Sequence, residues 1–323
     1  MKQNTSTVPQ TRDNPLQFKI EKILVPLDFS LASMEALDYA VSIARQFRAA
    51  IHLVHVYPPD EASSVPGAGH LLFQSAEAVG RINEELTGIH RKHAPAFRPE
   101  NCYVRRGRAY DEIVCLAREI DADLIALSTR GHSGLKHLLL GSTAERVVRN
   151  APCPVLVARK RKSKAANESF AIRTILAPTD FSQCSLAGTE YAAFLGRTLR
   201  ATLRLFHATY PYTNYVFVDR AGVRLSGLVE AVQETARQEM AALKQMDFLW
   251  GLSVQTEIRP GYAVDEICVA ASEPNVDLVV TSTHGRTGLK HALIGSVAEH
   301  VVRYAERAVL VVPSRSEPAF SSA

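Results

Sequence analysis

Cysteine is scarce in this 323-residue chain and falls in no useful pattern. Cys102, Cys115, Cys153, Cys184 and Cys268 form no CxxC pair and no Cys/His cluster. An odd, scattered set of this kind excludes a disulfide framework and a structural zinc, and it suits reduced thiols in a cytoplasm. Long apolar runs are also missing, and none approaches the roughly 18–20 residues of a membrane span. The first residues, MKQNTSTVPQTRDNPLQF, have no apolar h-region, so neither a secretory signal nor a membrane partner is expected. Neither the Walker A pattern GxxxxGK[ST] nor the dinucleotide fingerprint GxGxxG occurs, and GAG at 67–69 lacks a third glycine. What the chain does hold is 46% hydrophobic and 22% charged residues, the balance of a folded soluble protein rather than a disordered one. Its length is about twice the commonest domain size.

The length resolves into an internal repeat. ILVPLDFS at 23–30 recurs as ILAPTDFS at 175–182, an offset of 152. STRGHSGLKHLLLGSTAERVVR, from Ser128, recurs as STHGRTGLKHALIGSVAEHVVR from Ser282, now offset by 154. A unit of about 150 residues is far too long for a solenoid repeat, so a domain has been duplicated. The boundaries read from composition are a polar tail at 1–19, a first domain at 20–159, a basic linker at 160–171, a second domain at 172–314 and a tail at 315–323.

The formal charge of +4 hints at an anionic partner, but its location removes the hint. RKRKSKAANES at 159–169 holds five basic residues against one acid, a net +4 that equals the whole excess. With no aromatics interleaved to stack bases, this segment reads as a solvated linker, and nucleic acid is not expected as a partner.

Each copy alternates apolar runs with helical spacing. KILVPL, AIHLVHVY, CYVRRG, DLIALS and PVLVAR are strands in the first copy; TILAPT, LRLFHA, SVQTEI, DLVVTS and AVLVV are strands in the second. Met34, Leu37, Val41 and Ala44 follow the first strand at helical spacing, and Ser30 is placed to cap that helix. Strands alternating with helices predict a mostly parallel sheet covered on both faces. Ligands of such sheets sit beyond the carboxyl ends of the strands, where the strand order reverses.

Three features fall at those ends. Asp28 and Asp180, after the first strand of each copy and preceded by Pro26 and Pro178, would bond ribose hydroxyls or help hold a divalent cation; the alternative is a helix-capping role. Backbone at Val56 and Ala208, closing the second strand, would read an adenine edge, while His55 and His207 beside them read as packed interior histidines. The third feature is SxxG, nine residues, then GS: Ser128, Gly131, Gly141 and Ser142, and again Ser282, Gly285, Gly295 and Ser296. Gly134 and Gly288 add flexible points, and Thr143 and Val297 follow the serines. Glycines let backbone approach a polyanion and accept positive φ. Gly141 and Gly295 open helices whose free N–H groups favour phosphate, although the dipole alone is worth only about 0.3–1 kcal/mol.

These motifs resemble the universal stress protein family in its tandem form, over residues 22–159 and 173–314. The resemblance implies an α/β fold of two Rossmann-like, adenine nucleotide alpha hydrolase-like sheets. Each would have five strands of parallel type, and the two would pack as a pseudo-twofold dimer. PVLVA and AVLVV would pair as edge strands, giving an intramolecular pairing of domains to which further homo-oligomerisation could be added. ATP-binding members carry GxxG, nine residues, then G[ST]. The resemblance therefore places Asp28 and Asp180 near ribose and metal, Val56 and Ala208 at adenine, and the glycines and serines of both copies at the phosphates. ATP with Mg²⁺ or Mn²⁺ is the implied ligand. The first glycine of that motif is serine in both copies, Ser128 and Ser282. If the position needs a left-handed backbone the substitution costs roughly 1–2 kcal/mol; if it is ordinary strand end it costs nothing.

The function implied is that of a cytoplasmic stress-response or regulatory protein acting through ligand-dependent contacts with a protein partner. No arginine finger or general base is specified, which reads against an enzyme. Weak ATP hydrolysis and a nucleotide-free scaffold are the alternatives.

Overall fold

The computed structural model describes residues 18–58, 69–93, 101–128, 141–159, 171–210, 226–283, 285 and 294–313. The first half runs β1 (Lys22–Pro26), α1 (Leu31–Phe47), β2 (Ala50–Tyr57), α2 (Gly69–His93), β3 (Cys102–Arg106), α3 (Ala109–Glu119), β4 (Leu124–Ser128), α4 (Ser142–Asn150) and β5 (Val155–Ala158). The second half repeats the order as β6 (Thr174–Pro178), α5 (Gln183–Leu199), β7 (Thr202–Thr209), α6 (Ser226–Lys244), β8 (Val254–Pro260), α7 (Ala263–Ser272), β9 (Leu278–Ser282), α8 (Ser296–Tyr304) and β10 (Ala308–Val312).

The first helix shows why these segments fold as they do. Ser30 has extended backbone and its hydroxyl accepts from the Ser33 N–H, satisfying one of the free donors of the first turn. Leu37, Ala40, Val41 and Ala44 then fall on one buried face. Arg48 ends the helix in a left-handed conformation, its N–H returning to the Ala44 carbonyl. The second half repeats this with Ser182 at the start of α5 and Arg200 at its end.

All ten strands join one sheet, in the order β3-β2-β1-β4-β5-β10-β9-β6-β7-β8. Within each half the pairing is parallel, and the order turns back between β1 and β4 and between β6 and β9. The halves meet at β5 and β10, which pair antiparallel with Leu156 opposite Leu310. Both leucines are fully buried, each such side chain contributing about 1.5–3 kcal/mol. The implied pairing of these edge strands is thus what the structure shows.

Helices cover both faces of the sheet. α1, α2, α5 and α6 supply one apolar cluster, while α3, α4, α7 and α8 supply the other, and each cluster contains residues from both halves. An aromatic group strengthens the first. Phe18 meets Tyr191 at 5.1 Å and Phe194 at 5.7 Å, and Phe47 meets Phe194 at 5.3 Å. Phe18, which composition assigns to the polar tail, is therefore part of the contact between halves. Arg159, just past β5, donates to the carbonyls of Val302 and Arg303 and so closes the end of α8 across the seam. All five cysteines are free, and burial pushes the Cys153 thiol up to about 12, which keeps it protonated and unreactive.

The halves differ at their outer strands. In the second, Arg204 of β7 pairs with Glu257 of β8 and with Glu273 at the end of α7, and Arg259 pairs with the same two carboxylates. Hydrogen bonds from Arg204 and then Arg259 hold the Glu273 carboxyl down to about 2. In the first half His52 and Tyr103 stand in place of Arg204 and Glu257, His52 Nδ1 lying 3.2 Å from the Tyr103 hydroxyl, while Arg105 still pairs with Glu119 as Arg259 does with Glu273. Burial, aided by the charge of Lys22, lowers the His52 pKa.

Candidate functional site

The chain leaves β1 and β6 through a strained turn. Phe29 and Phe181 have φ of 62° and 63°, in the left-handed region, where a side chain costs roughly 1–2 kcal/mol. The strain is held by packing and hydrogen bonding. The Phe29 ring stacks on His55 with centroids 4.6 Å apart, and Phe181 lies 4.4 Å from His207. Each histidine places Nδ1 2.7 Å from a backbone carbonyl, of Leu27 and Thr179 respectively. A carbonyl only accepts, so Nδ1 carries the proton in both. His55 and His207 are thus structural groups of the turn.

The turn fixes the aspartates. Asp28 Oδ1 accepts from the Ser30 N–H at 3.1 Å and the Ser30 hydroxyl at 2.6 Å. Asp180 Oδ1 does the same with Ser182, at 3.1 and 2.6 Å. Each carboxylate therefore orients the capping serine with one oxygen, and neither is itself the cap. In the second half the other oxygen, Oδ2, faces Gly285: a Cβ built on that glycine would lie 2.5 Å from it. Only glycine permits this approach.

A cavity of about 250 Å³ lies at the ends of β6, β7 and β9, against the first turn of α8. Of the residues expected from sequence, Pro178, Asp180, Ala208, Ser282, Gly285, Gly295, Ser296 and Val297 all line it. Gly288 lies outside the described residues. In the first half Pro26 and Asp28, Val56, Ser128, and Gly141 with Ser142 and Thr143 stand at the matching ends of β1, β2 and β4 and the start of α4. Gly131 and Gly134 lie outside the described residues.

The backbone decides what the serines of the motif cost and how its helix-opening glycines are used. Gly141 and Gly295, at the starts of α4 and α8, have φ of −60° and −59°, open to any residue. The positive φ that glycine accepts is not used at either position, because the chain enters both helices from extended backbone. What glycine leaves there is space. Ser128 and Ser282 close β4 and β9 and are not among the residues with positive φ, so serine costs no left-handed strain.

One wall of the cavity is polar and the other apolar. On the polar side, Gly295 donates to the Thr283 carbonyl at 2.6 Å and Thr283 donates to Val312, which ties the mouth of α8 to the sheet. The first N–H groups of any α-helix lack an intrahelical carbonyl, so this turn offers donors to an anion. The apolar side is formed by Phe206, Ala208, Ala263 and Ile267. Sequence reasoning missed Ala263, Ile267 and Thr179. The α7 residues read only as the buried face of a helix, and Thr179, whose hydroxyl bonds the Phe181 N–H at 3.0 Å, is leucine in the first copy. Among the described residues no group of three or more His, Cys, Asp or Glu could hold a metal ion. No described helix is long and apolar enough to cross a membrane.

Comparison with known proteins agrees with this architecture. The sequence profile described as the universal stress protein family matches twice, over residues 19–159 and 171–313. The chain belongs to the universal stress protein family and carries two copies of its domain. It is 35% identical over 145 residues to universal stress protein MJ0531 of Methanocaldococcus jannaschii, covering 45% of this chain and 85% of that protein. It is 30% identical over 146 residues to universal stress protein YxiE of Bacillus subtilis, covering 43% of this chain and 98% of that one. A universal stress protein from Archaeoglobus fulgidus shares the fold along 91% of this chain and 98% of its own, with a TM-score of 0.62 and 20% identity.

Proposed function

We propose that this chain is a cytoplasmic regulatory protein of the stress response that binds ATP at one site in each half. The observation that carries the reading is the meeting, in one cavity, of the Asp180 carboxylate, the close-approach glycine Gly285 and the first turn of α8. Asp180 is pre-oriented by Ser182, so it meets a ribose hydroxyl or a cation without further ordering. The α8 turn suits phosphate and the Ala208–Ile267 wall suits the base. The spacing in both copies is that of ATP-binding members of the family, apart from Ser128 and Ser282. Asp180 is a single carboxylate, so Mg²⁺ or Mn²⁺ would take most of its ligands from phosphate oxygens and water, the usual arrangement for nucleotide-bound Mg²⁺. That ion would neutralise phosphate charge. Occupancy would then alter the loops at the strand ends, which is where a protein partner would sense it.

The test is direct. Protein denatured after purification should release adenine nucleotide, and calorimetric titration with MgATP should show saturable binding that the Gly141→Val, Gly295→Val double variant abolishes without loss of fold. No released nucleotide together with no heat at millimolar MgATP overturns the reading. Slow appearance of ADP during the titration would instead identify an ATPase.

A further inference from the structure

The floor of the cavity differs from the matching surface of the first half. Pro178 of β6 pairs with Phe206 of β7, and Leu176 pairs with Val279 of β9, so Thr281, two residues on, stands beside Pro178. Side chains alternate across a strand, so Thr281 falls on the face of Val279 and Pro178 on that of Leu176. Val279, Leu176 and Phe206 all belong to the apolar cluster that α7 and α8 cover. Phe206, Pro178 and Thr281 therefore form a row across three strands on one face, and all three line the cavity. The same pairing in the first half gives Val54, Pro26 and Leu127, a row that is apolar throughout, with Val54 and Leu127 in the same cluster. A hydroxyl thus stands in the second half where the first has a leucine.

The protein serves that hydroxyl poorly. Thr281 is 8% exposed, and its Oγ1 reaches the Ser282 carbonyl only at 3.4 Å. Hydrogen bonds between oxygens usually span about 2.5–3.0 Å, so this contact is weak. Burying a hydroxyl without a good partner is costly, and a leucine, as at 127, avoids the cost. What the hydroxyl faces is the cavity. With the phosphates at the first turn of α8 and the ribose at Asp180, the base falls against Phe206, Ala208, Ala263 and Ile267, and the row carries its edge to Thr281. We infer that the Thr281 hydroxyl donates to a ring nitrogen of the base, so that the second site reads the base by a hydrogen bond while the first, with Leu127, reads it by shape alone. The inference rests on the nucleotide reading above. The duplicated sites have thereby become unequal in what they recognise.

The experiment uses the full chain carrying Gly141→Val, so that only the second site reports. Calorimetry with MgATP compares this parent with versions that also carry Thr281→Val, which keeps the shape and removes the hydroxyl, or Thr281→Ser, which keeps the hydroxyl; the thermal midpoint controls for folding. Leaving a ring nitrogen without its donor should weaken ATP roughly 5- to 150-fold in Thr281→Val, while Thr281→Ser should bind within about threefold of the parent. Three ATP analogues, each with carbon in place of one of the ring nitrogens that can accept, identify the contact. One of them should bind the parent more weakly than ATP does and lose nothing further in Thr281→Val. ATP bound by Thr281→Val as by its parent overturns the contact while leaving the nucleotide reading intact. So does a loss on Thr281→Val that is the same for ATP and all three analogues, or a loss in Thr281→Ser as large as that in Thr281→Val. Protein that binds no ATP at all, with or without Gly141→Val, overturns both.

Discussion

Replacing Gly285 with alanine isolates the contact on which the proposed nucleotide site depends. The new Cβ would stand 2.5 Å from Asp180 Oδ2 and 3.5 Å from Cγ. Carbon and oxygen do not sit that close, so the carboxylate must retreat by roughly 1 Å. It cannot do so freely, because Oδ1 is held by both donors of Ser182, whose hydroxyl in turn caps α5 through the Ser185 N–H at 3.2 Å. A hydrogen bond to a charged group is worth about 1.5–3 kcal/mol. If the carboxylate turns away from its ribose or cation partner, ATP affinity at the second site should fall about 10- to 150-fold. Asp180→Ala removes the same contact outright. The two substitutions therefore act through one group, and Asp180→Ala with Gly285→Ala should cost no more than Asp180→Ala alone. Calorimetric titration of the four proteins with MgATP, each with the first site silenced by Gly141→Val, completes the cycle. Wild-type affinity in Gly285→Ala, or strictly additive losses in the double variant, would refute the reasoning.

Two further outcomes concern stability. The Glu273 carboxyl is depressed to about 2 from an ordinary value of 4.5, so its pairing with Arg204 and Arg259 contributes fully above about pH 4.5 and is lost as pH falls toward 2. Urea midpoints measured between pH 5 and pH 2 should drop more steeply for the wild type than for Glu273→Gln, and parallel slopes would show that the network contributes nothing. At the seam, Leu310→Ala removes a fully buried side chain facing Leu156 and should cost about 2–5 kcal/mol. Because both apolar clusters span the halves, the loss should lower one common unfolding transition in calorimetry; a split into two transitions would mean the halves fold separately.

Much of the fold was open to reading because the duplication states each element twice. The strands are short apolar runs, and Ser30 and Ser182 precede segments of helical apolar spacing, so the starts of α1 and α5 could be placed from sequence. The position of the candidate site residues was legible where side chain type marks a strand end, as with Asp28 after β1 and Asp180 after β6. It was not legible where backbone conformation decides. Nothing in a phenylalanine announces a left-handed turn, yet Phe29 and Phe181 adopt one because His55 and His207 take up their rings. Nor does glycine announce which of its properties is used: at Gly141 and Gly295 the entry to α4 and α8 is extended, so what counts there is the space a side chain would fill. Phe18 was hidden by its polar neighbours, since its partners Tyr191 and Phe194 lie in the other half of the sequence.

The antiparallel seam between β5 and β10 sets where the strand ends of the two halves lie. Within each half all strands point one way, so pairing the last strands head to tail turns the second half end for end. The carboxyl ends of β1, β2 and β4 therefore lie along one margin of the sheet, and those of β6, β7 and β9 lie along the opposite margin. The matching strand ends of the two halves thus face away from each other across the sheet. The two sets of strand ends are joined through the β5–β10 seam, the apolar clusters that span the halves, the Phe18 and Phe47 ring contacts and the Arg159 bonds to the end of α8.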